Sequence, residues 1–161
     1  QLQHDWTVDP EWLVWTPGLV VALNLCSRTL ESAQDGVLTV VPIYPPFLAA
    51  PQYTGRHLET VALVENQGRY EFDFEAFESA ITERTRMFML CNPHNPTGRV
   101  YTRQELERVA DICLRHELII CADEVHCGLI LDEEKPHVPF ARLSPAIAAR
   151  TTSSKVASRF P

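Results

Sequence analysis

Arg86-Met87-Phe88-Met89-Leu90-Cys91 runs without a break into Asn92-Pro93-His94-Asn95-Pro96-Thr97-Gly98, and this junction decides how the chain folds. The first six residues are a short apolar run of the kind that forms a strand buried on both faces. The next seven hold two prolines and a glycine, so they cannot continue as helix and must form a stiff, specifically shaped loop. Downstream, Thr102 and Glu105 have the spacing of a capping box for a helix running to about His116, with Leu106, Val109, Ala110 and Cys113 on one face. Leu118-Ile119-Ile120-Cys121-Ala122 then reads as a second buried strand, ending at Asp123-Glu124.

The same alternation extends upstream. Val37-Leu38-Thr39-Val40-Val41 is a β-branched run between Asp35-Gly36 and Pro42, which predicts a buried parallel strand with Tyr44-Pro45-Pro46-Phe47 at its carboxyl end. A further strand is predicted over Leu58–Val64, closed by the polar turn Glu65-Asn66-Gln67-Gly68. Asp73 is placed to cap a helix over Phe74–Thr82, in which Phe74, Phe77 and Ile81 share a face. Near the start, Trp12-Leu13-Val14-Trp15 and the turn Thr16-Pro17-Gly18 lead into the apolar stretch Leu19–Leu30, read as a buried helix. Strands and helices in alternation, with continuous apolar strands, predict an α/β fold: a three-layer α/β/α arrangement around a mostly parallel sheet. No repeats, low-complexity tracts or interdomain linker break the chain.

Composition narrows the function classes. The 161 residues, 45% hydrophobic and 22% charged, suit one globular domain with a real core and exclude disorder, collagen and a disulfide-stapled miniprotein. Fourteen Lys and Arg against 21 Asp and Glu leave a net charge of −7, which repels a phosphate backbone, so nucleic acid is not an expected partner. The longest apolar stretch, Leu13–Cys26, is interrupted by Thr16, Pro17, Gly18 and Asn24, so neither a signal peptide nor a membrane span is expected. Cys26, Cys91, Cys113, Cys121 and Cys127 have no CxxC spacing and mostly lie in apolar runs; they read as small buried hydrophobes in a reducing, cytoplasmic setting. Asp123, His126 and Cys127 raise the question of zinc, but no second ligand pair stands at a metal-like spacing, and no metal site is expected.

In an open parallel sheet, ligands sit in the crevice beyond the carboxyl ends of the strands. Tyr44, the Asn92–Gly98 loop and Asp123-Glu124-Val125-His126 all fall at such ends and should converge. Gly18, at the mouth of a helix, offers free backbone N–H groups and the positive end of a dipole to an anion. Taken singly, each has an ordinary structural reading: a turn glycine, a packed tyrosine, a capping aspartate, a core histidine.

Together they resemble a known family. Asn-Pro-x-Asn-Pro-Thr-Gly at 92–98, followed by a helix and an apolar strand ending in Asp-Glu-x-His, is similar to the fold-type I pyridoxal-phosphate enzymes of the class I/II aminotransferase superfamily. Several further motifs look like its MalY/PatB-type cystathionine β-lyase branch. These are Trp12-x-x-x-Thr16-Pro17-Gly18, Pro42-x-Tyr44-Pro45-Pro46-Phe47, Tyr70-x-x-Asp73-Phe74 and His137-Val138-Pro139-Phe140-x-x-Leu143-Ser144. The resemblance spans about Asp9–Arg150. It implies that residues 1–161 are the central part of a cofactor-binding large domain, with the N-terminal segment and the C-terminal small domain lying outside this sequence.

The resemblance also implies roles. Asp123 would pair with the pyridine nitrogen of pyridoxal 5'-phosphate, Asn95 and His126 would contact its phenolic oxygen, Tyr44 would lie against its ring, and the backbone amides of Gly18 and Leu19 would hold its phosphate. The lysine that bonds the cofactor falls on Lys155 in one register, after Ser154 as in the family's Ser-Lys pair. In a second register Ala157-Ser158-Arg159 overlies Ala-Ser-Lys and puts Arg159, which cannot attack an aldehyde, in the lysine's place. The implied activity is that of a carbon–sulfur β-lyase acting on cystathionine-like or cysteine-conjugate amino acids, giving thiol, pyruvate and ammonia. An aminotransferase and a non-catalytic remnant of the cofactor domain are the alternatives. A small amino-acid substrate and a homodimeric full-length form follow from the same resemblance.

Overall fold

The computed structural model describes residues 8–132 and 136–154. A five-stranded parallel sheet lies at its centre, in the order β2-β1-β5-β6-β7. Its strands are β1 (Gly36–Val41), β2 (His57–Ala62), β5 (Thr85–Cys91), β6 (Ile119–Asp123) and β7 (Thr151–Ser154). A two-stranded antiparallel hairpin, β3 (Val64–Asn66) and β4 (Arg69–Glu71), stands apart from it. The helices are α1 (Leu19–Arg28), α2 (Pro46–Tyr53), α3 (Phe74–Ser79), α4 (Arg103–Arg115) and the short α5 (Pro145–Ala148).

Side-chain alternation along the strands sets the three layers. Val37, Met87, Met89, Cys91 and Cys121 face one side, where they pack with Leu23 of α1 and Phe47 and Ala50 of α2. Leu38, Val40, Phe88, Leu90, Ile120 and Ala122 face the other, against Phe77 of α3, Leu106, Val109 and Cys113 of α4, and Ile147 of α5. Both faces of β5 and β6 are therefore covered, which is why their sequences read as unbroken apolar runs. The three-layer α/β/α arrangement predicted from the alternation is the one observed.

Local chemistry fixes the ends of the elements. The Thr102 hydroxyl accepts from the Glu105 N–H while the Glu105 carboxylate accepts from the Thr102 N–H, completing the capping box of α4. Asp73 accepts from the N–H groups of Glu75 and Ala76 at the start of α3.

Four expectations need correction. The Leu19–Leu30 stretch forms α1, but only one stripe of it is buried: Leu23 is covered, whereas Val20, Val21 and Leu25 are 43%, 41% and 47% exposed. Its apolar residues occupy more of the helix circumference than a single sheet face can cover. The strand expected over Leu58–Val64 ends at Ala62, and Val64 starts the hairpin instead. The helix expected to reach Thr82 ends at Ser79, because the Thr82 N–H is taken by the Thr85 hydroxyl at 2.8 Å in the turn that leads into β5. Cys26 and Cys127 are half-buried, unlike the other three cysteines.

The order β2-β1-β5 contains a reversal: from β1 the chain first adds a strand on one side through α2, then crosses by way of α3 to the other. The crevice of an open sheet lies at such a point, between the carboxyl ends of β1 and β5. The packing beneath it is testable. Phe88 is fully buried, with its ring 4.9 Å from that of Phe77 in an edge-on contact. Phe88→Ala is expected to cost about 3–5 kcal/mol, read as a lower urea midpoint at unchanged far-UV circular dichroism.

Candidate active site

The reversal joins the pieces that the sequence leaves far apart. Beyond β1, Tyr44 donates its backbone N–H to the carbonyl of Asn95, beyond β5, at 3.0 Å. Cys91 and Asp123 are paired in the β5–β6 register, and the Asn92 N–H continues that pairing to the Asp123 carbonyl at 2.9 Å. Leu19, the first residue of α1, and Tyr44 pack against the same core cluster, which includes Cys91 and Cys121. Gly18 is exposed in extended backbone at the helix entrance, with no atom within 4 Å of where a Cβ would stand. The amino end of α1 is thus open to an anion.

The Asn92–Gly98 loop is rigidly tied. All three of the Val41–Pro42, Asn92–Pro93 and Asn95–Pro96 peptide bonds are cis. The Asn92 Oδ1 accepts from the Tyr101 N–H at 3.1 Å, and His94 Nδ1 lies 2.8 Å from the Thr97 hydroxyl. The His94 N–H donates to the Arg99 carbonyl and the Gly98 N–H to the His94 carbonyl, each at 2.7 Å. Gly98 has φ +70°, a conformation that costs a glycine little. The Arg99 guanidinium then grips Glu105 through two bonds of 2.7 and 2.8 Å and lies over the Tyr101 ring. Burial, with the Arg99 charge beside it, pushes His94 down to about 4, so its ring is neutral at physiological pH.

Asp123 is 2% exposed at the end of β6, on the α1 side of the sheet by alternation with Cys121. Burial raises its carboxyl above the ordinary range, against the pull of the Val125 N–H, the His126 ring and the Ser154 hydroxyl. Among the described residues, its hydrogen bonds from Val125 (3.0 Å) and Ser154 (3.3 Å) both fall on Oδ1. A buried carboxylate whose charge is this poorly compensated suits a cationic partner. Asn95 and His126 line one open cleft of about 610 Å³, together with Arg69, Arg99, Leu129 and Leu131. Tyr44, Asp123, Gly18 and Leu19 are not on its wall. The structure therefore gathers the six described candidates at the carboxyl edge of the sheet, but only two of them share the cleft. Lys155 and Arg159 lie outside the described residues.

Sequence reasoning missed what holds Asp123 in place. Its neighbour Glu124 is fully buried. The Glu124 Oε1 accepts from the Phe140 N–H at 2.8 Å and lies 3.1 Å from His137 Nε2, and its Oε2 accepts from the Ser153 hydroxyl. Burial pushes this carboxyl up, but the bonds from His137 and Ser153 more than offset it, so it sits below the ordinary range. Donors from 137–140 and from β7 thus converge on the end of β6. The one signal in the sequence was a second acidic residue, directly after Asp123 at the end of an apolar run, and its partners, 13, 16 and 29 residues away, had no local mark.

A family model described as aminotransferase class I and II matches residues 2–157. The cystathionine β-lyase PatB of Bacillus subtilis is 38% identical over 145 residues, which cover 89% of this chain and 37% of PatB. The crystal structure of OvoB superposes with a TM-score of 0.91 at 39% identity, covering 95% of this chain and 40% of that one. Cystalysin from Treponema denticola, whose crystal structure contains pyridoxal 5'-phosphate, gives 0.91 at 30% identity, with 95% and 39% coverage. The chain spans about two fifths of the length of the curated relatives it matches.

Because the Glu124 pKa is lower in the folded chain than in an unfolded one, the unfolded state binds more protons as the pH falls. The stability it contributes is present above the unfolded glutamate pKa and is lost on acidification. Below about pH 5, the urea midpoint of the wild type should fall more steeply than that of Glu124→Gln, which has no carboxylate to titrate. Parallel pH profiles would show that the Glu124 charge does not act this way.

Proposed function

Because the chain belongs to the aminotransferase class I and II family, we propose that it is the central part of the large domain of a pyridoxal-phosphate-dependent carbon–sulfur β-lyase. The whole enzyme acts on cystathionine-like or cysteine-conjugate amino acids and releases thiol, pyruvate and ammonia. The observation that carries this reading is the buried Asp123 carboxylate at the end of β6, with the Asn95 loop and the open amino end of α1 gathered at the same sheet edge. The residues present fit the cofactor: a poorly compensated buried carboxylate for a protonated ring nitrogen, and a helix amino end for a phosphate.

Bound pyridoxal phosphate supplies an electron sink for the pair of electrons left at the substrate α-carbon when its proton departs. The buried Asp123 carboxylate would hold a proton on the ring nitrogen by charge pairing. Asn95 and His126, which line one cleft, would hydrogen-bond the phenolic oxygen. Tyr44 would lie against the ring. The amides of Gly18 and Leu19 bind the phosphate, aided by the dipole of α1. Lys155 would attach the cofactor and move the α-proton.

The full-length protein is a homodimer of the cytoplasm in this reading, and no helix among the described residues is long and apolar enough to cross a membrane. Transamination is the second reading, favoured by the description of the matching family model. The two separate in an assay of the full-length protein: the lyase forms pyruvate from cystathionine without a keto-acid acceptor, whereas the aminotransferase requires one.

For the site itself, borohydride reduction of the protein with pyridoxal phosphate should fix the label on Lys155, read by peptide mapping. Label scattered over other amines would overturn the assignment. Asp123→Asn, which removes a charge-assisted contact of about 1.5–3 kcal/mol, should weaken cofactor binding by roughly ten- to a hundredfold, read by titrating the bound cofactor's absorbance.

A further inference from the structure

The segment that follows β6 leaves the sheet at Glu124 and comes back to the same residue. His137 Nε2 returns to Glu124 Oε1 at 3.1 Å, and the Phe140 N–H donates to that oxygen at 2.8 Å. Ser153, on β7, donates its hydroxyl to Oε2. The side chains of Glu124 and His137 are both sealed from solvent. An ionised carboxylate only accepts, so His137 Nε2 carries the proton of their bond. Just beyond Glu124, the Cys127 N–H donates to the Glu124 carbonyl at 3.0 Å and the Leu129 N–H to the His126 carbonyl at 2.8 Å. These turns bring His126 to the wall of the cleft that it shares with Asn95, a wall to which neither Glu124 nor His137 contributes.

We propose that His137 is a positioning residue: by holding Glu124 it fixes the end of β6, and with it Asp123 and His126, for a cofactor that none of the 137–140 segment touches. This rests on the reading of the site as one for pyridoxal phosphate. Asp123 directly precedes Glu124 and His126 follows it by two residues, so a shift of the Glu124 backbone passes to both. The Val125 N–H, which donates to Asp123 Oδ1 at 3.0 Å, belongs to the same turn and would move with Glu124 rather than resist it.

The physical reason is the cost of a buried charge. Without the His137 donor, Glu124 Oε1 keeps only the Phe140 N–H, and a buried carboxylate that loses a donor relieves the cost by turning toward water. Turning it breaks the Phe140 and Ser153 bonds as well, because the donors approach from separate segments. The strand end then keeps only its backbone pairing to β5 and β7. A site that must hold a ligand to fine tolerance depends on such support behind the residues that touch it.

The test uses the full-length protein with pyridoxal phosphate as the probe, titrated by absorbance and read at saturation by circular dichroism in the visible region, which reports how the bound cofactor is oriented. His137→Ala should weaken binding roughly tenfold and shrink the visible signal. His137→Gln, whose amide N–H can reach Glu124 from the place of Nε2, should restore both. Val109→Ala, a truncation of a fully buried residue on α4, should lower the urea midpoint and leave the visible signal unchanged, which separates positioning from loss of stability. Wild-type affinity and signal in His137→Ala, or a Gln variant as defective as the Ala one, overturn the proposal. Should His137→Ala not fold, Ser153→Ala, which removes the donor to Oε2, decides: a reduced visible signal supports the proposal and an unchanged one overturns it. A wild-type protein that binds no cofactor overturns the functional reading itself, whereas a wild type and a His137→Ala variant that bind it equally overturn this inference alone.

Discussion

A carboxylate sealed from water is tolerated only where donors surround it, and Glu124 is the point at which this fold meets that constraint. Its two oxygens draw in the Phe140 N–H, the His137 ring and the Ser153 hydroxyl. Losing one donor would leave a buried charge short of partners, which is far costlier than losing an exposed ion pair. The segment after residue 136 and the last strand of the sheet are therefore bound to the end of β6. Asp123 is the preceding residue, so its carboxyl inherits a fixed position on the opposite side of the strand. The exposed pair of Arg103 with Glu107, 3.2 Å apart, has no comparable influence.

The second constraint is topological. Reversal of strand order between β1 and β5 leaves no crossover helix over that point at the carboxyl edge. The loops after these strands fill the place, and one backbone hydrogen bond, Tyr44 to Asn95, couples them. Arg99, clamped on Glu105, anchors the far end of the Asn92–Gly98 loop to the first turn of α4. A loop held by this many bonds presents Asn95 with little conformational freedom, as a site that must orient a ligand requires.

The elements that were legible in the sequence share a property: their signals are local. β1, β5 and β6 were readable because burial on both faces makes a run continuously apolar, and α4 because its capping box lies within four residues. α2 was missed because Pro45, Pro46 and Pro51 argue against a helix, although Pro45 is its N-cap, Pro46 its first residue, and Pro51 stands in its last turn. Of the β3–β4 hairpin, Val64 was read as the end of the preceding strand and Glu65–Gly68 as the polar turn closing it, and because its residues are largely exposed no alternation marked the two strands. β7 is a short run of threonine and serine whose strand character comes from pairing with β6, not from its own composition.

By itself the sequence determined the layer order, the rigid loop at 92–98 and the residue types gathered at the strand ends, because alternation, proline geometry and capping act over a few residues. Only the tertiary structure decided that Asp123 is buried and poorly compensated, that Glu124 is the anchor beside it, and that Asn95 and His126 share a cleft which Tyr44 and Asp123 do not line. Each of these depends on burial or on contact between residues distant in the chain, and neither exists until the sheet and its two helical layers have assembled.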